Sequence, residues 1–489
     1  MAPALHRMSL RLSSQKCLLA GPGPACGLAC LGSLCAALAA CGSEGGPGAR
    51  DGRPTHAILI SIDTLRPDHL SCYGHPRETS PNLDQLARRG VRFTDVTAAA
   101  PWTLPSHASL LTGLYPSRHG VKSHQTRLPL SVVTVAEEFQ AAGFETLAVV
   151  NTHNVGAPQY QLGQGFEHFR YISEVSEDRQ LKLRVVNMGE VVVAEAETLL
   201  ARRDAAKPFF LFLHFYDVHT DWTPREDFRR ELVGPYSGEL EGDTQELNRI
   251  RNLGQRLEPD DLRFLGELYD AEIRTLDQVL GGFLDWLAAE GLLADTLVLV
   301  TSDHGEEFQE HGGLLHGRTQ YQELLRVPLI LAGPGIPAGA VVDLPAHGVD
   351  VTPTLLAVLG IGTRAQHDGL DLSPTWLGGT LRERALFGEA DQDNRYAERE
   401  LDTKQMVRRG AHKLIVDRTA QRLELYDLAR DPNESQNLVA KEAERVRTLG
   451  LELKEFLGRA VASEKIPLPS AEERRQLDAM GYGGGADDE

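Results

Sequence analysis

Thr103 opens the segment Thr-Leu-Pro-Ser-His-Ala-Ser-Leu-Leu-Thr-Gly113. Asp63 closes a strand-like run that begins at His56, and Asp303 closes a second that begins at Thr296, with His304 directly after it. Carboxylates and imidazole are ligands for divalent cations, and a hydroxyl beside such an ion gives up its proton readily. The set therefore points to a metal-activated alcohol nucleophile that forms a covalent ester intermediate. Asp63, Asp303, His304 and the Thr103 oxygen are the expected metal ligands, with Thr103 also the nucleophile. Two further histidines sit where loops should return to the same place: His219, after the run from Phe209, and His316, after Asp303-His-Gly-Glu-Glu. They are the candidate proton donors and acceptors. A single loop histidine is more often a structural residue, and a threonine ahead of a proline is a frequent helix cap. The convergence of several such residues on strand ends favours chemistry.

The elements that must position these groups alternate along the chain. Apolar runs near 57–63, 145–150, 208–215, 296–302 and 327–332 read as buried strands, and amphipathic patterns near 81–90, 132–142, 186–203, 260–290 and 351–359 read as helices. Such alternation implies an α/β fold with a large, mostly parallel sheet covered by helices on both faces. Ligands of these sheets sit beyond the carboxyl ends of the strands, where Asp63 and Asp303 fall. Pro105 suits the first turn of a helix starting at Thr103, so the amide groups and dipole there favour an anionic oxygen. After about 375 the pattern changes to short runs at 384–389, 404–409, 412–417 and 422–427, expected as an antiparallel sheet, and a helix over 439–460.

Composition sets the address and the partners. The chain has 489 residues, 42% hydrophobic and 24% charged, enough for one large core and a smaller subdomain. Residues 1–40 carry Arg7, Arg11 and Lys16, no acid and a Gly/Ala/Leu/Cys-rich stretch, which reads as a secretory signal rather than a membrane span. Its ending, Leu38-Ala-Ala-Cys41, resembles a bacterial lipoprotein signal, implying lipidation of Cys41, an exported periplasmic or outer-membrane address and a membrane anchor without a transmembrane helix. Residues 41–54 are expected as a flexible tether, 55–375 as the catalytic domain, 376–460 as the antiparallel subdomain and 461–489 as a tail. Beyond residue 40 only Cys41 and Cys72 remain of six cysteines, so no disulfide framework is expected. A net charge of −19, more acidic still without the first forty residues, argues against nucleic acid as a partner.

The chain resembles the sulfatase family of the alkaline-phosphatase superfamily across nearly all of residues 55 to 440. The segments that carry the resemblance are Ile60-Ser-Ile-Asp-Thr-Leu-Arg-Pro-Asp-His-Leu-Ser-Cys-Tyr-Gly74, Ser80-Pro-Asn-Leu-Asp84, Thr103 to Gly113, Ser302-Asp-His-Gly-Glu306, Leu325-Arg-Val-Pro-Leu-Ile330, Asp350-Val-Thr-Pro-Thr-Leu-Leu356 and Glu424 to Glu434. It implies the fold above and a metal-dependent ester hydrolase. Thr103 aligns with the family's catalytic Cys or Ser, which sulfatases convert to formylglycine; its second hydroxyl lets the sulfated intermediate collapse by carbon–oxygen cleavage. Threonine cannot become formylglycine, whereas a phospho-threonine can be hydrolysed by attack at phosphorus. His107 stands at the signature's Arg, Asn151 at a usual Lys and His316 at another. Asn151, His153 and Arg318 are the expected substrate contacts, and His107 a catalytic or orienting residue.

His304 replaces a common Asn, and Thr64 a second Asp, so the resemblance implies zinc or manganese rather than calcium, with a second metal left open. The expected reaction is hydrolysis of phosphate diesters or phosphonate esters through Thr103, on a small ester that includes glycan or lipid headgroups. The alternatives are a sulfuric ester hydrolase acting without formylglycine, a phosphoryl-group transferase to lipid or glycan, and a non-catalytic binding homologue.

Overall fold

The computed structural model describes residues 52–172, 188–389, 404–467 and 470. The expected signal segment, Cys41, most of the tether and the tail beyond 470 lie outside them. The central sheet has 8 strands. In chain order they are β1 (His56–Ile62), β2 (Val91–Phe93), β3 (Glu145–Val150), β4 (His168–Tyr171), β5 (Phe209–Phe215), β6 (Thr296–Thr301), β7 (Leu329–Ala332) and β8 (Ala340–Val342). Their order across the sheet is β8-β2-β7-β6-β1-β5-β3-β4. All neighbours are parallel except β7, which runs antiparallel to both β6 and β2.

The strands are apolar throughout because both faces are covered. Ala57 and Leu59 of β1 join one core with Phe210 and Phe212, while Ile58 and Ile60 join a second core with Leu211 and Leu213. Alternate side chains thus leave a strand on opposite faces, each needing its own helical layer. The helices are α1 (Pro81–Arg89), α2 (Thr103–Thr112), α3 (Val135–Ala141), α4 (Gly189–Arg202), α5 (Pro259–Ala289) and α6 (Val351–Val358). Residues of α2, α3 and α6 enter the first core; residues of α1, α4 and α5 enter the second. At α3 the helix begins later than the hydrophobic pattern suggests because Thr134 and Glu137 form a capping box. Strands β2, β4 and β8, absent from the sequence reading, are short additions toward the sheet's edges.

The antiparallel sheet contains β9 (Ala385–Gly388), β10 (Lys404–Arg409), β11 (His412–Asp417) and β12 (Arg422–Asp427), in that order. Leu449 and Leu453 of α7 (Ala443–Leu457) pack on Val407, Leu414 and Leu425. Lys413 Nζ of β11 and Glu434, which follows β12, form an ion pair at 2.8 Å with both side chains fully buried. Glu434 also accepts the Gln322 amide, so the pair pins the chain that follows His316. The region 221–258 contains helices Glu226–Leu232 and Thr244–Leu253, and the second packs on Leu314–Leu315 just before His316. Cys72 is a free, half-buried thiol whose pKa is pushed up to about 12 by burial and by the Asp84 carboxylate. Among the described residues no helix is long and apolar enough to cross a membrane.

Removing one member of a buried ion pair leaves the other charge uncompensated, at about 3–5 kcal/mol. Glu434→Gln is therefore expected to lower unfolding stability by about that amount in denaturant titrations. A loss as small as that of an exposed pair would show that the buried pair does not hold this part of the chain in place.

Candidate metal centre and active site

The site lies where four parallel strands end. Asp63 follows β1, Asn151 follows β3, His214 is the penultimate residue of β5, and Asp303 and His304 follow β6. Register sets Ser61 beside both His214 and Thr301, so the groups leaving these strands arrive at one level. Thr103 is the first residue of α2, after the extended residue Trp102, and its hydroxyl faces the same level.

Three ligand atoms, one each from Asp63, Asp303 and His304, lie within 4.8 Å of one another and all three residues are fully buried. His304 Nε2 is 3.5 Å from Asp63 Oδ1, 3.3 Å from Asp303 Oδ2 and 3.4 Å from Thr103 Oγ1. The opposite nitrogen, Nδ1, donates to the Gly305 carbonyl at 2.9 Å. In the neutral ring this turns the Nε2 lone pair toward two carboxylates. His214 repeats the pattern: Nδ1 donates to Asn151 Oδ1 at 3.1 Å, and Nε2 faces Asp63 Oδ2 at 3.3 Å. The Tyr216 amide also donates to Asn151 Oδ1, which fixes that amide's orientation.

Both oxygens of Asp63, Oδ2 of Asp303 and Nε2 of His214 are buried without a hydrogen-bond partner. Anionic oxygens and imidazole lone pairs facing one another in a dry site repel unless a cation lies between them. The donor set thus fits a divalent ion held by Asp63, Asp303 and His304, with His214 alongside, and its nitrogen content suits zinc or manganese. Burial raises the Asp63 carboxyl to about 6, against the opposing pull of His304 and of the nearby Thr103 hydroxyl. Asp303 is raised by burial and by Asp63. Burial holds His107 and His214 down at about 4, so both rings are neutral near pH 7.

His107 is engaged at both nitrogens. Nδ1 donates to the Thr103 carbonyl at 2.9 Å and lies 3.3 Å from Asp303 Oδ2, while Nε2 accepts from Ser61 Oγ at 3.0 Å. It is fully buried and stands behind Thr103. Asn151, expected to contact substrate, is fully buried with its oxygen committed to His214 and Tyr216. His153 Nε2 accepts from Gln159 Nε2 at 3.1 Å and meets Tyr160 edge-on, on a helical turn that packs against α2. Arg318 donates to Asn252 at 3.2 Å.

His219 and His316 come together with ring centroids 4.8 Å apart, and His316 is 4.6 Å from His304. His219 is aligned by Tyr216, stacked on it at 4.2 Å. His316 Nδ1 lies 3.0 Å from Glu306 Oε1, and burial raises Glu306 well above the usual carboxyl range. Two of these groups escaped the sequence reading. His214 is a polar residue in an otherwise apolar strand, and that break in pattern was its signal. Glu306 lay in plain view in Asp303-His-Gly-Glu306 without a role.

Two residues beside the site hold left-handed backbone: Thr64, φ 56°, directly after Asp63, and Leu315, φ 65°, directly before His316. A β-branched residue is rarely found there, and such strain persists where surroundings over-determine it. At Thr64 the clamp is Tyr269, whose hydroxyl donates to the Thr64 carbonyl at 2.7 Å and accepts from the Arg66 amide at 2.8 Å.

A sulfatase family model matches residues 55–361, and a model of the N-sulphoglucosamine sulphohydrolase C-terminal region matches 309–461. The chain is 30% identical to human arylsulfatase A over 395 residues, covering 68% of this chain and 70% of that protein. It is 26% identical to an arylsulfatase of Clostridium perfringens over 455 residues, covering 80% and 91%. In fold it is similar to the phosphonate monoester hydrolase of Agrobacterium radiobacter, with a TM-score of 0.69 and 23% identity, covering 84% and 96%.

A carboxyl raised in the fold binds its proton before the unfolded chain does, so it favours the folded state at low pH and loses that advantage as pH rises through about 6. In chelated protein this part of the stability should fall between about pH 4 and 6. Added zinc, competing with those protons, should raise the melting temperature more at pH 7 than at pH 5. At a hundredfold excess over Kd the gain is about 2.7 kcal/mol. Asp63→Asn should abolish it; a zinc-dependent shift equal at both pH values and kept in Asp63→Asn would contradict the assignment.

Proposed function

The chain belongs to the sulfatase family, whose members are hydrolases of ester bonds, and from that premise we propose that it hydrolyses phosphate diesters or phosphonate esters through a covalent intermediate on Thr103. The observation that carries the reading is the Thr103 hydroxyl itself. It stands at the first turn of α2, beside the Asp63 carboxylate and 3.4 Å from His304 Nε2. A divalent ion held by Asp63, Asp303 and His304 would lower the pKa of a neighbouring hydroxyl and offset charge on a phosphoryl oxygen. Zinc or manganese is the proposed metal.

The residues divide the rest of the work. Asp63, beside the Thr103 hydroxyl, orients its oxygen for in-line attack at phosphorus. The amides at the start of α2 favour the oxyanion. His316, held by Glu306, and His219, held by Tyr216, are the groups that protonate the departing alkoxide and later deprotonate water. Water then attacks phosphorus and the P–O bond to Thr103 breaks, leaving the Thr103 oxygen ionised as it was before attack, so that the proton given to the departing alkoxide is the one recovered from water. The substrate class extends to esters on glycan or lipid headgroups. Export as a lipoprotein anchored through Cys41, placing the enzyme at a membrane surface, belongs to the same proposal and is supported by Leu38-Ala-Ala-Cys41.

Purified protein from residue 42, assayed with zinc, manganese or calcium, should turn over an aryl phosphodiester or phosphonate ester. Thr103→Ala should lower turnover by about a thousandfold or more, and Thr103→Ser, which keeps a hydroxyl, should retain it. Turnover of an aryl sulfate alone, lost in Thr103→Ala, would replace this reading with a sulfatase that dispenses with formylglycine. Separately, cells expressing the full chain should incorporate labelled fatty acid into it, and Cys41→Ser should not; equal labelling would remove the anchor.

A further inference from the structure

A second group of ligands lies outside the active site. His69 Nδ1 is 2.6 Å from Asp270 Oδ1, and His75 Nε2 is 3.1 Å from Asp270 Oδ2. The three donor atoms fall within 4.8 Å of one another. The side chains are 16%, 13% and 5% exposed, so the group is built into the surface yet reachable from solvent. The two rings stack with centroids 5.3 Å apart, and His69 stands edge-on to Tyr269 at 4.9 Å.

Three observations show that the arrangement is preorganised. Two consecutive 3-10 turns, Pro67–His69 and Ser71–Tyr73, fold the segment so that residues six apart face one carboxylate. Thr79 Oγ1 donates to the His69 carbonyl at 2.6 Å and anchors its backbone. His75 Nδ1 donates to the Asp68 carbonyl at 3.0 Å, which leaves Nε2 as the nitrogen offered to a ligand and fixes the ring. A backbone carbonyl on the far nitrogen is the usual support of a metal-binding histidine. The neighbouring cation, Arg77, lies 3.7 Å from Asp270 Oδ2 but is held by Glu267 and by the Leu232 carbonyl.

We propose that His69, His75 and Asp270 form a second metal site, suited to a borderline divalent ion such as zinc, nickel or cobalt. Two imidazoles and one carboxylate are three donors of the type such ions prefer, and water would complete a tetrahedron. His75 faces acceptors from both nitrogens, so the ion takes the place of its Nε2 proton, which is released to solvent; at His69 the ion takes the place of the Nδ1 proton that bonds Asp270, and the neutral ring keeps one proton on Nε2. The site joins the 67–75 segment to α5. Tyr269, next to Asp270, bonds Thr64 and Arg66, so occupancy would stiffen the turn that follows Asp63. The inference is independent of how the catalytic centre works.

The test is cobalt(II) titration of the protein from residue 42, followed by visible absorption and by metal-to-protein ratio after desalting. His75→Ala should bind one equivalent fewer than the parent and lose the matching part of the spectrum, with hydrolytic turnover retained. Asp63→Asn should keep that equivalent. His69→Gln, which preserves a hydrogen-bond donor to Asp270, should lose the same equivalent with an unchanged circular dichroism spectrum. Equal stoichiometry and spectra in the parent, His75→Ala and His69→Gln would overturn the proposal, whatever happens at Asp63.

Discussion

Two carboxylates and two imidazole lone pairs converge in a buried space at the end of the central sheet, and much of the nearby structure exists to keep them there. Left to themselves these groups repel one another, and burial raises both acids toward protonation. A divalent cation converts the same arrangement from a liability into a binding site, because each unsatisfied oxygen becomes a ligand. The supports are specific. Asn151 fixes His214, the Gly305 carbonyl fixes His304, and His107 stands between Ser61, the Thr103 carbonyl and Asp303. None of these contacts requires the ion, so the cage is set by the fold before anything enters it.

That rigidity has a local origin. Strand β1 cannot simply run on past Asp63, because Thr64 turns in a left-handed conformation that threonine seldom takes. Tyr269, buried on α5, holds the turn from both sides through Thr64 and Arg66. Across the site, Leu315 carries similar backbone just before His316, whose chain is in turn pinned by Glu434 and Lys413 from the C-terminal sheet. The smaller sheet therefore takes part in positioning a loop of the site, although it contributes no member of the metal cluster.

The strands and the ligands at their ends were legible in sequence because buried parallel strands are apolar runs, and a charged residue ending such a run stands out. The meander and its helix were legible for the same reason, in period two and then period 3.6. What escaped depends on pairing in space. Strands β2, β4 and β8 have only three or four residues and derive their strand state from neighbours rather than from their own pattern. His214 belongs to the site because register puts it beside Ser61, a relation that no local window contains. Asn151 was legible as a departure from a family pattern but not as a support, and His107 as an orienting residue without the partners through which it acts: a side chain's partner is not written next to it. The direction of β7 was likewise invisible, since an apolar run reads the same both ways.

Those departures are better understood together than singly. At three positions where the family pattern has a cation, this chain has His107, Asn151 and His316, and the first two are bonded within the fold to Thr103, Asp303 and His214. They replace diffuse positive charge with supports for a nitrogen-rich metal site. Charge alone does not then select the substrate, since a sulfate monoester and a phosphate diester each carry one negative charge. The second half of the reaction does. A sulfo-threonine has no second hydroxyl through which to collapse, so its release needs attack at sulfur, whereas a phospho-threonine can be released by water at phosphorus on the path by which it formed. The exchange of one nucleophile for threonine and the reworking of the groups behind it therefore both support the proposal of an enzyme that keeps the family's scaffold and returns its nucleophile through phosphoryl chemistry.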